Sequence, residues 1–418
     1  MLVKFTVGNY MSFKDRVTID MRTTAVHELP ENIIKIIDDT ELLKSVVIYG
    51  ANASGKSNLI KAFYFARDFV VWSFKNVPAG EKIDVLGFVL NKNTKEQPSF
   101  FEVVLNVNNT FYRYNFEVNS ERVVQENLYL VQKTKEEQLF KRNSNGYEIS
   151  KKFEEGNGIQ EKTRDNCLFL SVVSQFNGSI SSEIVKFFKK FKVNSSIGYK
   201  AFYNRTLARL EEDPTLKQDI LKFINIADKE IKGFEIETKK EDEQANKPGL
   251  KETIRKIVYF AREVFNDKKE LQGEVLFGLD YLESEGTRKM FALSIPIIDA
   301  IKNGEIIIID ELENHLHPLL LKYIIKLFNS YSNEKAQLII ATHNLTCMNS
   351  ECFRRDQIWF TEKNSFGEST LFSLVDYKTN DNKKVRNDAS YGKDYLLGKY
   401  GAVPYLNEID LCFKGNEK

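Results

Sequence analysis

Gly50, Gly55, Lys56 and Ser57 stand in the stretch YGANASGKSNLIKAF with the spacing G-x-x-x-x-G-K-S. Glycines let a backbone curl until several N–H groups point into one concavity, and a helix that begins there adds its positive end. A lysine at that position reaches the outer phosphates of a nucleotide, and the serine hydroxyl after it can ligate Mg²⁺. Gly50, Asn52, Ser54, Gly55, Lys56, Ser57 and Asn58 are therefore candidate phosphate-binding residues, with Ser57 also a candidate metal ligand. The pattern has meaning only on a strand-to-helix turn. SVVIYG before it reads as a short buried strand, and Leu59, Phe63, Ala66 and Val70 after it fall on one helical face.

A second cluster lies in GEIIIIDELENHLHP. Four consecutive isoleucines, Ile306 to Ile309, predict a strand buried on both faces of a parallel sheet. Asp310 and Glu311 then fall at its C-terminal end, where open α/β sheets bind ligands. Asp310 suits Mg²⁺, directly or through water, and Glu311 suits the orientation or deprotonation of an attacking water. AQLIIATHN predicts another short strand, ending at Thr342, His343 and Asn344. The chain has only four histidines, and His343 is placed to donate a hydrogen bond to a γ-phosphate. His315 and His317 either meet a partner subunit or shape the turn before Pro318. In LESEGTRKM, Ser284 and Gly286 open a helix that runs through Met290, Leu293, Ile297 and Ile301, bends at Pro296 and stops at Asn303-Gly304. A serine and a glycine at a helix start make an anion cradle or simply a cap.

These pieces need a sheet and helices to hold them, and 418 residues supply ample core. A formal net charge of +1 argues against coating nucleic acid through charge alone, although a local patch is compatible with it. Cys167, Cys347, Cys352 and Cys412 form no C-x-x-C pair, which fits a reducing cytosol better than a zinc site or a disulfide framework. MLVKFTVGNYMSF alternates like a strand, without the apolar core of a signal peptide, and no apolar run is long enough for a membrane span. A cytoplasmic protein is expected. The stretch between Lys56 and Asp310 exceeds what one crossover needs, so an insertion is expected there. SFFEVVLNVNNTFYRYNFEVN predicts a hairpin turning at Asn108-Asn109. From about 180 to 270 the pattern reads as helical, with a polar loop at 239–252 and no sustained heptads. KFFKKFK (186–192) reads chiefly as a helix with a buried aromatic face and solvated lysines, the alternative being a surface that docks on nucleic acid or on an acidic protein.

In this order, phosphate loop, S-x-G-T element, IIIIDE and ATHN, the motifs resemble ATP-binding-cassette ATPases of the SMC, RecF and OLD type. The resemblance implies an α/β fold, an ABC-type P-loop ATPase head with a mixed sheet, flanking helices and a large inserted α+β subdomain. It divides the chain into an N-terminal lobe (1–97), an insert (98–270) and a C-terminal lobe (271–418). SEGT stands at that group's signature, ENHLHP at the loop through which two subunits touch, and Met11 and Ser12 near the nucleotide. A head-to-tail homodimer or larger homo-oligomer follows, with Ser284 and Gly286 of one copy closing on ATP and Mg²⁺ held by Lys56 of the other. The strand-rich middle and YLLGKYGAVPYL (395–406) also resemble compact AAA-family ATPases of bacterial phage-defence operons, the RloA, AbiL and PARIS AriA group. That implies a sensor subunit controlling a separately encoded effector in response to a phage trigger, with nucleic acid possible but not required and no membrane. The alternative is a RecF- or SMC-like ATPase acting on DNA; a scaffold that binds ATP without hydrolysing it is a third class. Glu285 replaces the glycine usual in transporter signatures. The glutamine loop has only Gln97 as a candidate.

Overall fold

The computed structural model describes residues 1–37, 40–78, 80–133, 135–194, 199–241, 253–378 and 384–403. Its central sheet has the strand order Phe191–Asn194, Ile306–Asp310, Gln337–Ala341, Ser45–Gly50, Ile358–Lys363 and Ser369–Ser373. The first five run parallel, and the last returns antiparallel as a hairpin. The three apolar runs singled out above are thus neighbours, and all end on the same side. Alternation along them explains why each is apolar throughout. Val46, Ile48, Ile306, Ile308 and Ile339 enter one core, whereas Val47, Tyr49, Ile307, Ile309, Leu338 and Ile340 enter another on the opposite face.

On the first face lies the helix Lys56–Asn76, with Leu59, Phe63, Ala66 and Val70 buried as the spacing predicts. Phe63 stacks on Phe5 at 3.8 Å between ring centroids, which joins this helix to a second sheet. That sheet is an antiparallel array of seven strands ordered Gly146–Ile149, Glu136–Asn143, Val123–Val131, Thr110–Val118, Ser99–Val107, Leu2–Gly8 and Val17–Asp20. The hairpin at Asn108-Asn109 is present, both asparagines having positive φ (49° and 65°), as a tight two-residue turn requires. Leu2–Gly8 pairs directly with Ser99–Val107, so a line drawn at 97/98 falls within one sheet.

The opposite face is covered by the helices Glu285–Asn303 and Pro318–Phe328. The first carries Pro296 inside it and ends at Gly304, whose φ of 65° is the left-handed cap expected there. Its Met290, Leu293 and Ile297 meet the central sheet, while Phe291 and Ile295 enter a third core. The helices Lys200–Glu212 and Leu216–Ile224 and a three-stranded antiparallel sheet, Ile231–Glu241, Thr253–Phe265 and Leu271–Gly278, build that core.

This sheet corrects the helical reading of 180–270. Helix persists only to Ile224, and strands follow. Phe234 and Phe260, register partners on one face, pack on Phe291, so tertiary burial fixes the extended form. Most of the expected loop at 239–252, Cys412 and the end of YLLGKYGAVPYL lie outside the described residues. KFFKKFK is helical only to Lys189, and Phe191 opens a strand of the central sheet. Phe187, Phe188 and Phe191 are buried as expected, but Lys192 pairs with Glu305 at 3.3 Å and is not a solvated lysine. Among the described residues no helix is long and apolar enough to cross a membrane.

Candidate functional site

The phosphate loop leaves the central strand at Gly50 and enters its helix at Gly55, with φ +123° at Gly55 and +61° at Ala53. A Cβ on Gly55 would lie 2.6 Å from Ser369 Oγ and 3.2 Å from Ser12 Oγ. Lys56 Nζ donates to the carbonyls of Gly50 (2.8 Å) and Ala51 (2.9 Å), which holds the ammonium at the mouth of the loop. Burial lowers its pKa to about 8, against the pull of Asp310, Glu313 and Glu311. Lys56 is thus a buried cation held on two main-chain carbonyls, with no carboxylate of the described residues in direct contact, facing acids.

Asp310 ends the neighbouring strand but one and is 4% exposed. Both its oxygens are shielded from solvent and neither sits in a well-formed hydrogen bond. Burial pushes this carboxyl above its ordinary range, and the Ser57 hydroxyl beside it works in the opposite sense. A buried carboxylate without partners, next to a hydroxyl, is a hard oxygen donor set suited to Mg²⁺. Among the described residues no three His, Cys, Asp or Glu side chains are grouped to hold an ion alone. Mg²⁺ at Ser57 and Asp310 would complete its shell with phosphate and water oxygens, its usual preference.

Glu311 has φ +53°, a left-handed conformation that costs a non-glycine residue roughly 1–2 kcal/mol. Such strain persists where surrounding bonds over-determine it. Here the Glu311 N–H donates to the Ala341 carbonyl (2.9 Å), Asn314 Nδ2 donates to Glu311 Oε2 (2.7 Å), and Lys289 Nζ donates to the carbonyls of Glu311 (3.2 Å) and Asn314 (2.9 Å). Glu313 accepts the His343 backbone N–H on Oε1 (2.6 Å), and its Oε2 is buried without a partner. Burial, aided by Lys56, lowers the His343 pKa, so the imidazole is neutral at pH 7.

The structure thus groups Lys56, Asp310, Glu311 and His343 around one strand-end surface. Ser54 is used internally: its hydroxyl shares a 2.6 Å hydrogen bond with Thr361 Oγ1, and its carbonyl accepts from Ser369 Oγ at 2.7 Å. Asn52 is exposed at the loop tip. Asn58 Nδ2 donates to Ser12 Oγ (2.7 Å), which brings the Met11-Ser12 turn against the phosphate loop. Gln97 is exposed, and its carbonyl accepts from Asn9 Nδ2 at 2.8 Å. Among the described residues no hydrogen bond joins Ser284 or Gly286 to residues 50–58. Ser284 Oγ instead accepts from the Thr287 N–H (3.1 Å) as the helix cap, and Gly286 lies under the His315 carbonyl. His317 Nδ1 accepts from the Leu319 N–H (3.2 Å) and so caps the helix that starts at Pro318.

Sequence reasoning missed Glu313, Lys289, Thr361 and Ser369. Glu313 was visible two residues beyond Glu311, and Lys289 as a lysine beside the apolar stripe of its helix. Thr361 and Ser369 meet the loop across some three hundred positions, with no local signal. Thr361 also limits Gly50, where a Cβ would collide with the Thr361 carbonyl oxygen and lie 2.6 Å from the Ser54 and Thr361 hydroxyls. Gly50→Ala is expected to cost about 2–3 kcal/mol through overpacking against a neighbouring strand that cannot retreat. Thermal melting checks this; an unchanged Tm would refute the close packing.

The chain has no match among curated proteins. Similar solved structures include the SMC head domain from Thermotoga maritima, at 15% identity and TM-score 0.41 over 89% of this chain and 98% of that one. An SMC head bound to the C-terminal winged-helix domain of ScpA gives 11% identity and TM-score 0.46, over 89% and 97%. A Pyrococcus furiosus SMC head with an extended coiled coil, bound to the C-terminal domain of ScpA, gives 11% and 0.41, over 89% and 96%. The strand order and the phosphate loop above make the architecture an α/β fold of the P-loop kind, a mixed central sheet with flanking helices. Residues 45–349 match the family described as "AAA domain, putative AbiEii toxin, Type IV TA system". That span covers most of the chain, from the phosphate-loop strand past His343, and the protein belongs to this AAA-domain family.

Proposed function

We propose that the chain binds and hydrolyses ATP with Mg²⁺ between two copies of itself, as the sensor subunit of a two-component bacterial anti-phage system. The observation that carries the nucleotide chemistry is Asp310, a buried carboxylate short of partners beside Ser57 and across from Lys56. In this reading Gly50, Asn52, Gly55, Lys56 and Asn58 line the phosphate path, and Ser54 braces it from behind through Thr361. Phosphate oxygens replace the Gly50 and Ala51 carbonyls as acceptors for Lys56. Mg²⁺ supplies charge neutralisation at the phosphates. Glu311 orients or deprotonates the attacking water, and neutral His343 donates to the γ-phosphate.

Ser284 and Gly286 lie at the start of a long helix and do not bond their own phosphate loop, which supports their service to a second copy. The family's description names a toxin–antitoxin system, a two-protein setting, which supports the existence of a separate partner protein but not which of the two roles this chain plays. The aromatic residues of KFFKKFK are core and Lys192 is ion-paired, so that stretch offers no aromatic face to nucleic acid, and the DNA-acting alternative is left with the RecF and SMC resemblance. Ser284→Arg is expected to leave ATP binding intact and abolish ATP-induced dimers, read by light scattering after gel filtration. A wild-type protein that stays monomeric with a non-hydrolysable ATP analogue would defeat the head-to-tail reading. Co-purification with the product of the neighbouring reading frame tests the effector.

A further inference from the structure

The helix that begins at Ser284 touches the turn after Asp310 at three places. Glu285 Oε2 pairs with His315 Nδ1 at 3.0 Å. Gly286 lies so close to the His315 carbonyl that a Cβ would sit 2.8 Å from it. Lys289, 6% exposed, places its ammonium on the carbonyls of Glu311 and Asn314. A buried lysine ordinarily pairs with a carboxylate. Here the hydrogen-bond partners are two main-chain oxygens of one turn, the turn that carries Glu311 in its left-handed conformation. The Asn314 N–H also donates to the Glu311 carbonyl (3.2 Å), so Lys289 adds a second donor to the atom that closes this turn.

We propose that Lys289 is a positioning residue: from the helix whose first turn carries Ser284 and Gly286, it fixes the backbone of Glu311 and links the two ATP sites of a dimer. Its action on Glu311 needs only one chain. The link rests on the head-to-tail reading above. If Ser284 and Gly286 engage the partner's nucleotide, any shift of that first turn reaches Lys289 about 7.5 Å along the helix axis. Lys289 then carries it to the Glu311 that serves this chain's own Lys56. Two sites and a contiguous rigid element between them are the parts that a coupling needs.

Lys289→Met keeps the aliphatic stem and removes the donors. The expected result is a fall in kcat of about tenfold or more with KM for ATP changed by less than about threefold, because the lost interaction orients Glu311 and does not touch ATP. Lys289→Arg should recover part of kcat, since a guanidinium can donate to two carbonyls. A variant with lowered Tm and wild-type kcat per folded molecule would make Lys289 merely structural and overturn the proposal. Should Lys289→Met be insoluble, Lys289→Gln, which keeps one amide donor group, is read by the same kcat-against-KM split. The link is read separately, from the Hill coefficient of rate against ATP, expected above 1 in the wild type and near 1 in Lys289→Met. Dimers that form normally while the variant keeps the wild-type coefficient would refute the link and spare the head-to-tail reading. A chain that never dimerises would remove both and leave the kcat split to judge the positioning.

Discussion

Glu311→Gln should bind Mg-ATP with wild-type affinity and turn it over at least about 100-fold more slowly, the loss expected when a positioned carboxylate no longer assists water. The substitution is isosteric, and an amide oxygen can still accept from Asn314 Nδ2, the bond that seats the side chain at 2.7 Å. The Lys289 and Ala341 contacts involve only the Glu311 main chain and survive intact. Binding and catalysis should therefore separate cleanly. The trapped ATP state should also accumulate as dimer, which a gel-filtration column resolves. Phosphate release near the wild-type rate would move the hydrolytic role elsewhere, and Glu313, with its buried and unpartnered Oε2, would be the first acid to examine.

Asp310→Asn should have two effects of opposite sign. Its carboxyl is raised above the ordinary range chiefly by burial. For an acid raised in this way, the folded state binds the proton more tightly than the unfolded chain, so the penalty grows as pH rises through the folded pKa and is complete above it. At pH 7 to 8 the asparagine removes that penalty, and the nucleotide-free protein should gain about 1–3 kcal/mol. The gain should shrink as pH falls toward the unfolded carboxylate pKa near 4. With Mg-ATP the order reverses: the wild type gains Tm from the ligand and Asp310→Asn gains little, because the metal has lost its charged protein ligand. Melting curves of both proteins, with and without Mg-ATP, at pH 5 and pH 8, decide it. A variant destabilised without ligand would mean that Asp310 is a satisfied structural acid.

Legibility in the sequence followed the range of the forces. The phosphate-loop turn, the isoleucine strand and the cap and stop of the Ser284 helix are local, each set by a few neighbouring residues, and each appears where its pattern places it. The three-stranded sheet was hidden for a physical reason. Leu271–Gly278 is exposed along nearly its whole length, so its residues show no alternation of apolar and polar faces. The pairing that makes it a strand lies in its neighbour Thr253–Phe265. The phosphate-loop motif revealed which backbone would curl but not what lies behind it. Thr361 and Ser369 come from a hairpin far along the chain, and their hydroxyls carry no signature. Lys289 was legible in kind, as a cation among apolar neighbours, but its partners are backbone carbonyls, which every residue possesses.

The strand order of the central sheet has a consequence for biosynthesis. The phosphate-loop strand Ser45–Gly50 lies between Gln337–Ala341 and Ile358–Lys363, both made near the end of translation. Leu2 waits as long, since its N–H and carbonyl are bonded by the Gln337 side chain at 2.7 and 3.0 Å. The antiparallel meander through residue 149 can form while the ribosome is still at work, but the nucleotide loop stays unsupported on both edges until most of the chain has emerged. Contacts of such sequence separation close slowly and leave apolar edges open to chaperones in the interval. A ribosome stalled before residue 337 would therefore hold a phosphate loop that has no sheet to stand in.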